Sequence, residues 1–162
     1  MSKIGLKGRF HIQHFDSEGR LKGVYRVPNG IVDEGLNHIL ETQFNGGTPV
    51  TSWYIGLVNN AGFSAFANAD VMNSHAGWVE ATVYDEATRP EWTAGTAASR
   101  SITNASTVDF SINATVTLHG IFITSNSTKS GTTGVLWSTA AFASNVSANN
   151  GDTLKVTYTV SG

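Results

Sequence analysis

The chain of 162 residues has no cysteine, so neither disulfides nor thiolate-bound metals can hold its fold together. Charge is scarce: 14% of residues are Asp, Glu, Lys or Arg, and the formal net charge is −2. The basic excess that marks nucleic-acid binders is missing, and no nucleic acid is expected as a partner. No apolar run approaches the ~18 residues that span a bilayer. The opening "MSKIGLKGRFHIQHFD" lacks the apolar stretch of a signal peptide. These absences predict a soluble protein made in a cytoplasm, with no membrane partner. At 162 residues there is enough chain for one domain with a real core.

Charge is most depleted in one stretch. Between Ser101 and Gly151 only Asp109 and Lys129 are formally charged, and Ser, Thr, Asn, Ala and Gly alternate with Val, Ile, Phe and Leu. In "TLKVTYTV", Leu154, Val156, Tyr158 and Val160 recur at every second position, the period of a half-buried strand. Val108, Phe110 and Ile112 do the same in "TVDFSI". In "ATVTLHGIFIT" the apolar phase changes at Gly120, which predicts a β-bulge or a strand buried on both faces. "GVLWSTAAF" reads as a further strand, and "NNGD" as the turn leading into the last one.

Residues 1–100 carry a mixed signal. "GRFHIQHFD" and "LKGVYRV" flank "SEGR", a hairpin with Gly19 in its turn. A helix is predicted near 31–44, with Val32, Leu36, Ile39, Leu40 and Gln43/Phe44 along one apolar face. Gly35 inside it costs ~1 kcal/mol relative to Ala and reads as a close-packing position. "SWYIGLV" is the next strand. Residues 59–78 are a long connection with one helical turn near Asp70, and "EATVYD" a further short strand. The resulting fold class is mainly β: an antiparallel β-sandwich or jelly roll with one inserted α-helix and an N-terminal β-hairpin. It divides into a hairpin or arm over residues 1–28 and a sandwich over 29–162, within one domain.

Residues 74–92, "SHAGWVEATVYDEATRPEW", concentrate the reactive residue types. His75 has Asp70, Glu80 and Asp85 within ten residues. Catalysis needs a nucleophile and base within hydrogen-bond reach and a group to orient the base, and no G-x-S-x-G or H-E-x-x-H pattern is present. Adjacent acids on a loop, Asp85-Glu86 beside Glu80 and Glu91, do not give the spaced pair a glycosidase needs. They read as a solvated turn, with Arg89 paired to one of them at the surface. His11 and His14 form an H-x-x-H, but on a strand positions i and i+3 face opposite ways, so a solvated strand is expected there instead of a metal site. Trp53 is placed in the core, while Trp78 and Trp92 read as staples seating a long loop, with Gly77 and Pro90 shaping the backbone beside them. Four N-x-[ST] sites, at Asn104, Asn113, Asn126 and Asn145, are what chance gives in so Asn- and Thr-rich a chain.

Three stretches, "VPNGIVDEGLNHIL", the block from "TSWYIGLV" through "TLHGIFITS", and "TTGVLWSTAAF…GDTLKVTYT", resemble a group of small virion structural proteins of tailed bacteriophages. The resemblance covers roughly residues 25–162. It implies a non-enzymatic building block with no catalytic residue to transfer, no cofactor and no small-molecule substrate. The place in the virion is read from the residues: one small β-domain, charge-poor and rich in Ser, Thr and Asn, suits the capsid surface, as a cement or decoration protein. Its partners would be the major capsid protein and copies of itself, as a dimer or trimer. The residues expected at such contacts are Phe10, Phe15 and Tyr25 on the hairpin, beside the basic Lys3, Lys7, Arg9, Arg20, Lys22 and Arg26, together with Trp78, Tyr84 and Trp92. The alternative is a tail-fibre or adhesin-type module in which Trp78, Tyr84 and Trp92 are exposed to host glycans.

Overall fold

The computed structural model describes residues 5–162, so Lys3 lies outside the described residues. In chain order the elements are β1 (Lys7–Phe15), β2 (Leu21–Ile31), α1 (Asp33–Phe44), β3 (Trp53–Asn59), β4 (Val79–Ala81), β5 (Glu91–Trp92), β6 (Ser101–Thr103), β7 (Val108–Ser111), β8 (Val116–Thr124), β9 (Leu136–Ala148) and β10 (Thr153–Ser161). All the pairings between these strands are antiparallel. One sheet runs β2–β1–β10, with β6 and β7 both on the free side of β10. The other runs β9–β8–β3, with β4 and β5 both on β3. Strand β2 joins them: Leu21–Asn29 pair with β1, while Gly30 and Ile31 pair with Thr139 and Ser138 of β9. The result is one curled, sandwich-like antiparallel sheet with a single helix among the described residues.

Period-two alternation places the core. Phe10, Ile12, Val27, Leu154, Val156 and Tyr158 from the first sheet meet Ile55, Leu57, Leu118, Ile121, Ile123 and Trp137 from the second. A second, smaller cluster of Val32, Val58, Met72, Trp78, Phe122 and Leu136 lies on the other face of β8, under the connection that carries Phe63 and Phe66. Both expectations at Gly120 are met. The register slips between Leu118 and Gly120, and every residue from Gly120 to Thr124 is buried. A β-carbon at Gly120 would run into the Ala140 carbonyl, so glycine lets β8 and the bulged β9 approach.

Three expectations fail. The hairpin is no separate arm: β1 lies between β2 and β10, and Phe10 is fully buried against Tyr158 at 4.5 Å between ring centroids. Its inward residues complete the core, so removing residues 1–28 would remove the middle of a sheet. The helix does not bury its predicted apolar face either. Leu36, Leu40 and Phe44 are 40%, 56% and 82% exposed. The cause is Gly35, the one buried residue within α1. A β-carbon there would stand 2.6 Å from the Trp137 carbonyl, so the helix seats on β9 through its Gly35–Ile39 flank and turns the leucine stripe outward. No helical turn forms near Asp70, where Val71 and Ser74 make an isolated bridge instead.

Candidate functional site

Residues 74–92 pair with β3 as β4, run out to the end of β7, where Tyr84 bridges Ile112 and the Asp85 N–H donates to the Ser111 carbonyl, and return to β3 as β5. Both tryptophans are anchors. Trp78 is 2% exposed. Its ring stacks on His75 at 3.8 Å and packs on Phe122 at 4.9 Å, and its indole N–H donates to Asp70 Oδ2 at 2.9 Å. Trp92 sits across from Trp53 in the β3–β5 pair, in the main core. Its N–H is shared by the Tyr158 carbonyl and Asn104 Oδ1, each at 3.1 Å. The two rings therefore pin the segment to opposite faces of one sheet.

Between them Arg89 is buried, only 1% exposed. Its Nε and Nη2 donate to the two oxygens of Glu80, each at 2.8 Å, and its remaining donors reach the carbonyls of Asn126 (2.8 Å) and Gly131 (3.1 Å). The guanidinium carbon lies 5.2 Å from the Phe122 ring centre. Glu80 Oε2 also accepts from the Ser130 N–H, and Arg89 N–H donates to the Ser127 carbonyl. A bidentate fork with every guanidinium nitrogen hydrogen-bonded is what makes a buried ion pair tolerable. The expected surface pair is thus an interior one, and it holds the 125–134 loop. The expected solvated turn holds in part: Asp85 and Glu91 are exposed, Asp85 accepting from the Asn113 side chain, while Glu86 is half-buried and accepts from the Ser111 N–H and Glu80 is interior.

These contacts fix what the segment can do chemically. His75 Nδ1 donates to the Trp78 carbonyl at 3.1 Å, Asp70 also accepts the Ala67 N–H, and Glu80 is saturated by Arg89. A cavity of about 180 Å³ opens beside them, lined by Met72, His75, Trp78, Glu80, Arg89 and Phe122 among others. Burial pushes the Tyr84 hydroxyl far above its ordinary range, and Glu80 adds to this. Lys129 covers the Tyr84 ring at 3.9 Å and donates to its carbonyl at 2.7 Å. Among the described residues no cluster of three His, Asp or Glu side chains is arranged to hold a metal.

Of the residues expected at a partner contact, Phe10, Trp78, Tyr84 and Trp92 are interior side chains and offer no surface. Tyr25 is half-buried and turned inward, with its ring 6.1 Å from Phe142. Phe15 is half-buried and shares its side of the sheet with Leu21 and Thr153. A second cavity, of about 220 Å³, lies between the sheets and is lined by Trp53, Trp92, Trp137, Ile39, Ile123 and Val160 among others. The indole N–H groups of Trp92 and Trp137 already donate to Tyr158, so the cavity presents apolar surface with no free donor from those rings.

Period-two alternation puts His14 on the inward face of β1 with Phe10 and Ile12, so the solvated-strand expectation fails there. His14 is 1% exposed, 2.6 Å from Asp152 Oδ2, which also accepts from Lys22 Nζ at 2.6 Å. Burial by itself would raise the Asp152 pKa. Hydrogen bonds from the Asn149 N–H, Lys22 and His14 outweigh it and hold the carboxyl below the ordinary aspartate range. A depressed carboxylate stabilises the fold above its unfolded pKa, and that contribution is lost as pH falls through the folded value. Denaturation between pH 7 and pH 2 should therefore show Asp152→Asn less stable at neutral pH and with a shallower acid loss than the parent. Parallel curves for the two proteins would refute this role for Asp152. The charged or titratable groups facing it are His14 and Lys22, with Tyr25 3.4 Å behind His14.

No protein-family model matches the chain, and its sequence matches no curated protein.

Proposed function

We propose that the protein is a structural component of a tailed-bacteriophage virion, a cement protein that binds and stabilises the major-capsid lattice. The observation that carries this reading is the use made of residues 74–92. Their reactive side chains are engaged in holding a loop to a β-scaffold, through Glu80–Arg89, Asp70–Trp78 and His75–Trp78. A domain so built works through its outer surfaces. The resemblance of residues 25–162 to small phage virion proteins points the same way.

Such a protein would act by mass action. Binding the assembled lattice and not its separated subunits stabilises the lattice by about 2.7 kcal/mol per site at a hundredfold excess over Kd. Many equivalent sites then oppose the pressure of packaged DNA. The glycan-binding alternative relied on Trp78, Tyr84 and Trp92 as an open platform, and all three are buried. Quantitative mass spectrometry of purified virions tests the proposal. The protein is expected in fixed ratio with the major capsid protein. A few copies per particle would place it in the tail, and its absence from virions would end the structural reading.

A further inference from the structure

Two surfaces carry most of the exposed large apolar side chains among the described residues. Among the described residues seven such side chains are exposed, of which Leu36, Leu40 and Phe44 lie on α1 and Leu21 and Val24 on β2. Soluble monomers seldom leave contiguous apolar stripes in water. On α1 the positions 33, 36, 40 and 44 follow i, i+3, i+7, i+11, so Asp33, Leu36, Leu40 and Phe44 form one stripe with an acid at its N-terminal end. The helix also carries Glu34 and Glu41 and no Lys or Arg.

The other surface is the outer side of the β1–β2 hairpin. Cross-strand partners point the same way, so Arg9 stands beside Pro28, His11 beside Arg26, Gln13 beside Val24 and Phe15 beside Leu21. This face is basic at one end and apolar at the other. Among the described residues, Lys7, Arg9 and Arg26 have no carboxylate partner, while Arg20, Lys22, Arg89 and Lys155 do. Residues 1–4 contain no acid that could supply one. Within a chain of net charge −2, a basic hairpin face and an acidic helix are thus displayed separately.

The two stripes match in order and in length. From Asp33 to Phe44 the helix rises about 16 Å. From Arg26 to Leu21 an extended strand covers about the same distance, roughly 16 Å. Laid together, Asp33 meets Arg26, Leu36 and Leu40 meet Val24, and Phe44 meets Leu21 and Phe15. We infer that helix α1 of one copy docks on the outer face of the β1–β2 hairpin of a second copy. Two different patches meet, so the association is head-to-tail. It adds copies until rotation closes a ring, or continues as a filament. The buried leucines and Phe44 supply affinity, and the Asp33–Arg26 end sets register and encounter rate.

The inference concerns the chain alone and stands or falls separately from a place in a virion, because the test uses purified protein. Sedimentation velocity of the full chain over a concentration series at low salt should show species larger than two copies. Phe44→Ser, at an exposed position, should weaken association about tenfold or more. Arg26→Glu and Asp33→Lys should each remain at the monomer mass of 17.2 kDa when alone. Their equimolar mixture should associate again, since every contact in it joins opposite charges. Circular dichroism and thermal melts of each variant confirm the fold. A parent chain that stays monomeric overturns the proposal. So do variants that associate like the parent, or a mixture that stays monomeric.

Discussion

Replacing Arg89 with alanine is expected to cost about 3–5 kcal/mol of folding stability, measured by urea or guanidinium denaturation. The magnitude does not come from the ion pair being strong. Against a well-packed apolar pair of similar shape, a buried Arg–Glu pair is often neutral or worse. It comes from what truncation leaves behind. Glu80 is 95% buried, and without Arg89 it keeps only the Ser130 N–H. The carbonyls of Asn126 and Gly131 lose their guanidinium donors, and the Phe122 ring loses its cover. Two controls separate this account from a generic cavity. Glu80→Gln, which removes the charge and keeps the shape, should be markedly destabilising, because Arg89 then stays buried without a counter-charge. The double replacement Glu80→Leu with Arg89→Met should recover much of the loss. Hydrogen exchange should report the damage first at 125–134, the loop these bonds tie down. A loss under about 1 kcal/mol for Arg89→Ala, the range of an exposed pair, would sink the interpretation.

Trp78→Ala should cost a comparable amount, about 3–5 kcal/mol, by a different route. The ring fills the middle of the second cluster, between Phe66, Phe122 and His75. Its loss removes three ring contacts and opens a cavity beside Met72 that the surrounding strands cannot close. Trp78→Phe should recover part of the packing and none of the bond to Asp70. The loss should be local. Residues 60–78 should lose amide protection and become protease-sensitive, while β1, β2 and β10, which meet in the other cluster, keep theirs. Equal loss of protection across both clusters would mean that the excursion and the sandwich form a single cooperative unit. The account of two separately pinned faces would then be wrong.

The sequence carries the strands and much less of the polar interior. Alternation at 108–112 and 154–160 and the phase change at Gly120 are local signals, and the structure follows each. Gly35 was legible as a close contact for the same reason, since glycine in a helix is conspicuous. What that contact does to the helix was not legible. The apolar spacing of Leu36, Leu40 and Phe44 defines a face but not which neighbour covers it, and the seat at Trp137 turns that face to water. Alternation with Phe10 and Ile12 marks His14 as inward, and Glu80 lies only nine residues from Arg89, but the remaining partners that make these burials tolerable act at a distance. Asp152 is 138 positions from His14, and the carbonyls bonded by Arg89 are 37 and 42 positions away. A local window can show which way such a residue points, but not these distant partners. The two tryptophan anchors were recoverable because large rings flanked by Gly77 and Pro90 have few alternatives to burial.

The pairing of β1 with β10 has a consequence for how the chain reaches its structure. Lys7 aligns with Ser161 and Phe15 with Thr153, so a central strand of the first sheet finds one of its two partners near the opposite end of the sequence. During synthesis the β1–β2 ribbon can form early, but its inner residues Phe10 and Ile12 stay uncovered until residues 153–161 leave the ribosome. Contacts of such long sequence separation slow folding and prolong the exposure of an unpaired edge. Ribosome-stalled chains cut short before residue 153 should therefore engage holdase chaperones. Release of the last strand is the step that ends that engagement.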